Sequence, residues 1–299
     1  MSAKRFVVVV NPRGGTRCGA AVLEAVKPIF DAAGAQLDVH MTTYAGHARE
    51  LAKTLKLDDY DGFCVVGGDG TIHEVVGGLM QQDHPVSTPL GVIPAGTGNS
   101  VLRHFECTDP REAARRIVAG NTQPLDVIRV VMENALEFSV NIVGWGAAVD
   151  INGTAERLRA LGPPRYAVAA LSHILRARRR RATLLLDGQV FEDEFLLAVA
   201  CNTKFAAKGM QLAPRAETSD GKMDVVVVRR ASRMQLVRLF SRVYAGSHLS
   251  LPCVEYHQVR SFGIRSESRD LLNVDGELKG ATPLSADVMP AALRVFTLR

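Results

Sequence analysis

The chain has 299 residues, 47% hydrophobic and 22% charged, which is enough apolar side chain for one large core or two and too much for a disordered segment. Its formal charge of +5 suits an anionic ligand or an acidic surface without choosing between them. Five cysteines (Cys18, Cys64, Cys107, Cys201 and Cys253), odd in number and with no Cys-x-x-Cys pair, exclude a disulfide framework and a zinc site as readings.

In chain order, Phe6–Val10 reads as a strand cut short by Asn11-Pro12, not as the apolar core of a secretory leader. A helix follows over Cys18–Ala33, closed by Gly34, then a strand at Leu37–Thr42 and a helix at His47–Leu55. Gly62–Val66 is a strand, Ile72–Met80 a helix and Leu90–Ile93 a strand. Asp109-Pro110 starts a further helix with an N-cap and a proline in its first turn, ending near Gly120. Strands alternating with helices predict an α/β domain over 1–123, built on a mostly parallel sheet covered on both faces. From Pro124 the pattern turns β-rich, and Asp187-Gly188 marks a hairpin. Two helices, Gly153–Leu161 and Arg165–Arg178, flank Gly162-Pro163-Pro164, and another lies near Met234–Tyr244. A second, antiparallel and sandwich-like domain over 124–290 is predicted, with 291–299 returning to the first domain as its last strand.

Three polar turns end strands of the first domain: "NPRGGT", "GGDGT" and "PAGTGNS". Glycine lets backbone N–H groups come close to an anion, and a helix starting after "GGDGT" adds its positive end. Neither the P-loop pattern nor the dinucleotide fingerprint is present. Tight turning alone explains any one of these glycine clusters, but three at the ends of strands in one sheet point to a shared phosphate ligand.

These motifs resemble the catalytic domain of the diacylglycerol kinase family of lipid kinases. "GWGAAVD" followed by "ERLRALGPPRYAVAAL" is similar to the sphingosine and ceramide kinase branch, and "NVDGELKG" to the family's C-terminal Asp-Gly-Glu turn. The resemblance implies an ATP- and Mg²⁺-dependent kinase. Asp69 would be the general base, with Glu277 also catalytic. The nucleotide would meet Asn11, Pro12, Arg13, Thr43, Gly67, Gly68, Gly70, Thr71, Glu74, Gly96, Thr97, Gly98 and Asn99. Arg159 and Arg165 would reach its phosphates, with Asp275 and Gly276 beside it and Asp275 near the metal. "ETSDGKMDV" is similar to a structural Mg²⁺ loop, which nominates Asp220. Each role has a plainer reading: Asp69 as an Asx cap, Glu74 as a helix-dipole partner, Asp275-Gly276 as a hairpin turn.

Asp150 and Asn152 are the candidate contacts to the acceptor lipid. Sphingosine kinases carry an acid where this chain has Asn152, and an amide lacks the charge an ammonium prefers, so a neutral acceptor such as ceramide or diacylglycerol is favoured over sphingosine. The apolar residues of Leu158–Leu175 fit the wall of a lipid tail site or ordinary core. The arginines from Arg176 to Arg181 fit a peripheral membrane surface or a solvated helix end. No apolar run is long enough to span a bilayer, and basic and aromatic residues do not interleave as on nucleic-acid surfaces. A cytoplasmic protein, free or peripherally bound, is expected, and a homodimer is left open. An NAD kinase-like enzyme and a non-catalytic lipid or nucleotide sensor are the alternatives.

Overall fold

The computed structural model describes residues 3–298 other than 15–17, 97, 163, 177 and 208; the side chains of 159, 166 and 175 are also outside the description. The chain divides into two compact units, Met1–Val127 with Pro290–Arg299, and Ile128–Met289. The sequence boundary after residue 123 falls four residues before the structural one, because β5 (Thr122–Met132) runs unbroken through both positions.

The first unit contains β1 (Arg5–Val10), α1 (Gly19–Ala32), β2 (Gln36–Met41), α2 (His47–Thr54), β3 (Gly62–Gly67), α3 (Asp69–Leu79), β4 (Leu90–Pro94), α4 (Ser100–His104) and α5 (Pro110–Ala119). β3 and β4 are buried along their whole lengths and β1 after its first residue, as strands covered on both faces must be. They pair in parallel in the order β4-β3-β1-β2. Val10 is opposite Met41 on one side and Val66 on the other, and Val66 is opposite Ile93. This register brings the carboxyl ends of all four strands level. α1 buries Leu23, Val26 and Phe30, a three- and four-residue spacing that gives one apolar face. Asp109 caps α5 by accepting from the backbone of Arg111 and Glu112, and Gly120 closes the helix in the left-handed region at φ +84°.

The second unit contains β6 (Ala135–Ser139), β7 (Ile142–Gly146), α6 (Ala147–Arg157), α7 (Arg165–Arg176), β8 (Arg180–Leu186), β9 (Gln189–Cys201), β10 (Met223–Arg229), α8 (Arg233–Arg242), β11 (Val254–Val259), β12 (Ser261–Ser266), β13 (Leu271–Val274), β14 (Glu277–Ala281) and the first part of β15 (Leu284–Phe296). Its strands are antiparallel, with β9 pairing to β8, β7 and β10. Trp145, Phe195 and Phe262 are among the residues filling its core. The end of β15 belongs to the first unit, where Val295 pairs in parallel with Leu90. The protein is therefore of the mixed α/β class, parallel in the first unit and antiparallel in the second, as the sequence predicts. Among the described residues no helix is long and apolar enough to cross a membrane.

Two helices start earlier than their sequence signals suggest. The one predicted from Ile72 starts at Asp69, because Gly67 and Gly68 complete the turn by themselves. The one predicted from Gly153 starts at Ala147, right after Gly146 in a positive-φ conformation (φ +77°), so Asp150 and Asn152 sit on a helix and not in a loop.

Candidate active site

In the first unit the turns after β1, β3 and β4 converge. The chain leaves β1 for β2 on one side and returns to β3 on the other, so a crevice opens between the β1 and β3 ends. Asn11 spans it, donating from Nδ2 to Thr71 Oγ1 at 2.9 Å. A Cβ on Gly67 would lie 2.6 Å from the Thr71 Cβ, so the β3 turn closes this tightly only with glycine. A Cβ on Gly96 would lie 2.5 Å from the Cα of Gly68, which presses the β3 and β4 turns backbone to backbone. Asn99, left-handed at φ +50°, ties down the β4 turn by donating to the Gly96 carbonyl at 3.0 Å.

Asp69 is the first residue of α3 and is half-buried. One carboxylate oxygen lies 2.8 Å from where a Cβ on Gly98 would be, and the other is 3.5 Å from the Val101 amide. The carboxylate is thus held over the β4 turn and away from the core. Gly70 and Thr71 complete the first turn of the helix behind it. Thr97 lies outside the described residues.

A second set of contacts borders the first. Arg13 donates from Nη1 to the Thr43 carbonyl at 3.1 Å, and its amide donates to Asn11 Oδ1 at 3.0 Å across Pro12. The Thr43 amide donates to His47 Nδ1 at 3.2 Å. Glu74 accepts from the Gly46 amide at 3.0 Å and so fastens α3 to the start of α2. His47 was not among the sequence candidates, and nothing in its surroundings marks it; Tyr44 stacks on its ring at 4.5 Å. The assembly is a cradle of backbone N–H groups and hydroxyls around one carboxylate, which is suited to a polyphosphate approached by a proton donor.

The second unit groups its candidates differently. Arg180 donates to both oxygens of Asp150 at 2.9 Å, with its Nε 3.4 Å from Asp270, which also accepts from Trp145 Nε1 at 3.1 Å. The sequence placed Arg180 in a surface run. It shares a strand face with Ala182, Leu184 and Leu186, and that period-two pattern was the missed signal. Buried Asn152 donates to the Gly276 carbonyl at 2.7 Å and so meets the Asp-Gly-Glu turn. Asp275 is itself buried, and its carboxylate accepts from Ser139 Oγ and the amides of Val140, Asn141 and Ile142. Those donors tie Asp275 to the β6–β7 turn. Glu277 is exposed at the start of β14. Asp220 is exposed and accepts from the Lys222 amide within its own turn. Arg165 lies 3.4 Å from Glu156, and the Arg159 side chain is outside the described residues. Among the described residues no cluster of three metal-ligating side chains forms.

A small apolar pocket, with a cavity of about 70 Å³ behind an open mouth, lies between α6, α7, β9 and α8. Ile151, Ile174, Leu196, Leu236, Leu239 and Phe240 line it, with Asp150, His173 and Arg178 as polar members. Burial pushes the His173 imidazole below its usual range, and its Nε2 lies 2.8 Å from Thr154 Oγ1. Of the apolar residues predicted to wall a lipid tail, Ile174 lines this pocket, while Leu161, Val168 and Leu171 are exposed.

Residues 5–130 match the diacylglycerol kinase catalytic domain, and residues 141–297 match the YegS C-terminal NAD kinase beta sandwich-like domain. The chain belongs to the diacylglycerol kinase family. A diacylglycerol kinase of Mycobacterium tuberculosis is 31% identical over 260 residues, covering 85% of this chain and 82% of that protein. Sphingosine kinase 1 of Arabidopsis thaliana is 27% identical over 332 residues, covering 92% of this chain and 68% of that one. The crystal structure of a diacylglycerol kinase from Bacillus anthracis superposes with a TM-score of 0.74 at 23% identity, over 98% of this chain and 96% of that one. An NAD kinase from Archaeoglobus fulgidus in complex with ATP follows at 0.53 and 13%, over 98% and 93%. Both structures speak to the fold. As a member of the family the chain is a kinase, a phosphotransferase, as its motifs imply.

The close approach of Gly68 and Gly96 gives a direct test of the cradle. In Gly96→Ala the methyl group meets Gly68 Cα and, at 2.9 Å, Asn99 Oδ1, so the two turns must part. A shift of about 1 Å in a positioning element costs up to about 10²-fold in rate. Turnover is expected to fall by about that factor and ATP affinity with it, while the melting temperature moves by only a few degrees. Calorimetric titration with ATP beside a thermal melt checks this.

Proposed function

We propose that this kinase transfers the γ-phosphate of ATP to the hydroxyl of a neutral lipid of the diacylglycerol or ceramide type. The observation that carries the reading is the placement of Asp69: one carboxylate, exposed to solvent on one side, at the junction of two glycine turns pressed together. Phosphoryl transfer needs the phosphates held, the acceptor oxygen in line and its proton removed. The backbone of residues 68–70, 96, 98 and 99 would supply donors for phosphate oxygens, with Thr71 fixed by Asn11. Asp69 would take the hydroxyl proton. An ATP-bound neighbour of the same fold supports this choice of phosphoryl donor.

Magnesium, a hard ion that keeps several waters and takes one or two carboxylates, fits a site with a single acid among phosphate donors, and Asp69 is the residue positioned to meet it. When bound with ATP it would neutralise phosphate charge. Asp275 is buried and bonded to four donors around the β6–β7 turn, which argues against that role for it.

The acceptor's class follows from the second unit. The apolar lining of the pocket and its open mouth offer an acyl chain a surface to lie against. Asp150 faces it bonded to Arg180, which it shares with Asp270, and the Asn152 amide is committed to Gly276. With Arg178 also on the pocket wall, a cationic headgroup would meet two arginines there, so an uncharged head is favoured. An NAD kinase-like enzyme leaves this pocket without a purpose, and a sensor leaves Asp69 without one.

The purified protein with ATP and Mg²⁺ should be offered diacylglycerol, ceramide, sphingosine and NAD in parallel. Phosphorylation of diacylglycerol or ceramide at least about tenfold faster than of sphingosine is expected, the factor of one lost charged hydrogen bond. Transfer to NAD alone would remove the lipid reading, and preference for sphingosine would remove the neutral-head argument. No transfer at all would leave the sensor.

A further inference from the structure

β2 (Gln36–Met41) is the last strand of the parallel sheet: it pairs with β1, and among the described residues no strand pairs with its other side. The Gln36 and Thr42 amides donate to the Lys4 and Val10 carbonyls, toward β1. The N–H and C=O of one strand residue point the same way, and the direction alternates along the strand. The backbone groups of Leu37, Val39 and Met41 therefore face outward from the sheet. An open edge of this kind is a template for another strand, and edges that stay single carry a lysine, a proline or a bulge. β2 has none of these, and its register with β1 runs unbroken from Gln36 to Met41. Leu37, Val39 and Met41 share one face, and Val39 and Met41 are each 40% exposed.

The sequence of this edge is its own complement. "LDVHM" reads apolar, acid, apolar, base, apolar in one direction and exchanges only the acid and the base in the other. Laid antiparallel on a second copy, about a two-fold axis through Val39, the outward groups come into register. Val39 exchanges both its backbone hydrogen bonds with the partner's Val39, and Leu37 exchanges its own with the partner's Met41. Asp38 then lies opposite the partner's His40, at the closely spaced positions where cross-strand side chains meet. Within one copy His40 Nε2 is already 3.2 Å from Asp38 Oδ1, and Tyr60 donates to Asp38 Oδ2 at 2.7 Å. Pairing would close a ring of alternating carboxylate and imidazole. Sliding to the next register on either side keeps the hydrogen bonds but sets Asp38 against the partner's Asp38, or His40 against the partner's His40. The side chains thus choose one alignment. An unrelated extended peptide could satisfy the backbone, but it would have no reason to carry this pattern.

We propose that the free edge of β2 pairs antiparallel with β2 of a second copy of this chain, about a two-fold axis through Val39, so that two first-unit sheets become one. The pairing is independent of which acceptor the kinase phosphorylates. Because the edge is short, the dimer belongs to the weak, exchanging class.

Sedimentation velocity at rising protein concentration, without ATP or lipid, tests it. The wild-type protein should pass from monomer to dimer. Val39→Lys sets like charges face to face on the axis and removes the apolar pair, and should weaken the dimer about tenfold. Val39→Pro removes the amides that cross the axis, which β1 does not use, and should weaken it about 30-fold or more. Both variants should keep the wild-type ATP affinity and melt within a few degrees of the wild type. A swap reads the register itself. Asp38→His and His40→Asp each put like groups opposite one another and should weaken the dimer several-fold, whereas Asp38→His/His40→Asp restores the unlike pairs and should return it to about wild-type strength. A wild-type protein that stays monomeric at every concentration, a dimer that Val39→Lys and Val39→Pro leave intact, or single and double swaps that dissociate alike would each overturn the proposal.

Discussion

Asp69→Asn is expected to cut turnover by about 10²-fold or more while leaving ATP bound, the range seen when a general base is removed. Asparagine has the same shape as aspartate and fits the same space over Gly98 and Val101, so the turn has no steric reason to move. What it loses is the ability to take a proton. The substitution also removes a negative charge from the first turn of α3, where an acid offsets the helix dipole, and that costs about 0.5 kcal/mol of stability. In the absence of Mg²⁺, removing the same charge from beside the proposed phosphate site should leave ATP affinity unchanged or slightly tighter. Three measurements separate the explanations: single-turnover phosphorylation of lipid, ATP titration and a thermal melt. Turnover near that of the wild type would end the assignment of Asp69 as the base. Loss of ATP binding together with turnover would make Asp69 a residue that shapes the turn.

The first unit was largely legible because its signals are local. Five-residue buried runs bounded by Asn-Pro or Gly-Gly read as strands, and glycine clusters at their ends read as turns. Their joint meaning was less accessible. That Gly68 and Gly96 must both be glycine follows from each facing the other across two strands, and either alone satisfies the description of a turn. The start of α3 was misplaced by three residues because aspartate, glycine and threonine suit a loop as well as a first helical turn, and only the strand register decides.

In the second unit the decisive contacts join residues distant in the sequence. Arg180 reads as one member of a basic run until the alternation of β8 is followed inward from it. Its partner Asp150 is 30 residues earlier, on a helix whose start after Gly146 carries no capping residue. The β-rich segment "ALEFSVNIVGW" breaks at Val140-Asn141 into β6 and β7. The break is held by backbone amides bonded to Asp275, more than 130 residues later. Backbone donors look the same at every residue, so no sequence pattern could announce them.

That bond set gives the second large effect. Asp275→Ala is expected to destabilise the protein by about 3–5 kcal/mol, since it strips a buried carboxylate from three backbone amides and from the Ser139 hydroxyl, which can still turn to the Ile142 carbonyl. Asp275→Asn should cost much less, about 1–2 kcal/mol. Ser139 Oγ and the amides of Asn141 and Ile142 all donate to Oδ1, which an amide oxygen can replace, and Val140 donates to Oδ2, where the asparagine NH₂ would oppose it. Asparagine also tolerates the left-handed backbone at this position, φ +53°, better than alanine does. The graded order wild type, then Asn, then Ala in urea or thermal unfolding is the signature of a structural carboxylate, and it should be the same with Mg²⁺ or with chelator. A metal ligand behaves otherwise: both variants would lose Mg²⁺-dependent activity to a similar degree while melting like the wild type, and that outcome would return Asp275 to the metal site.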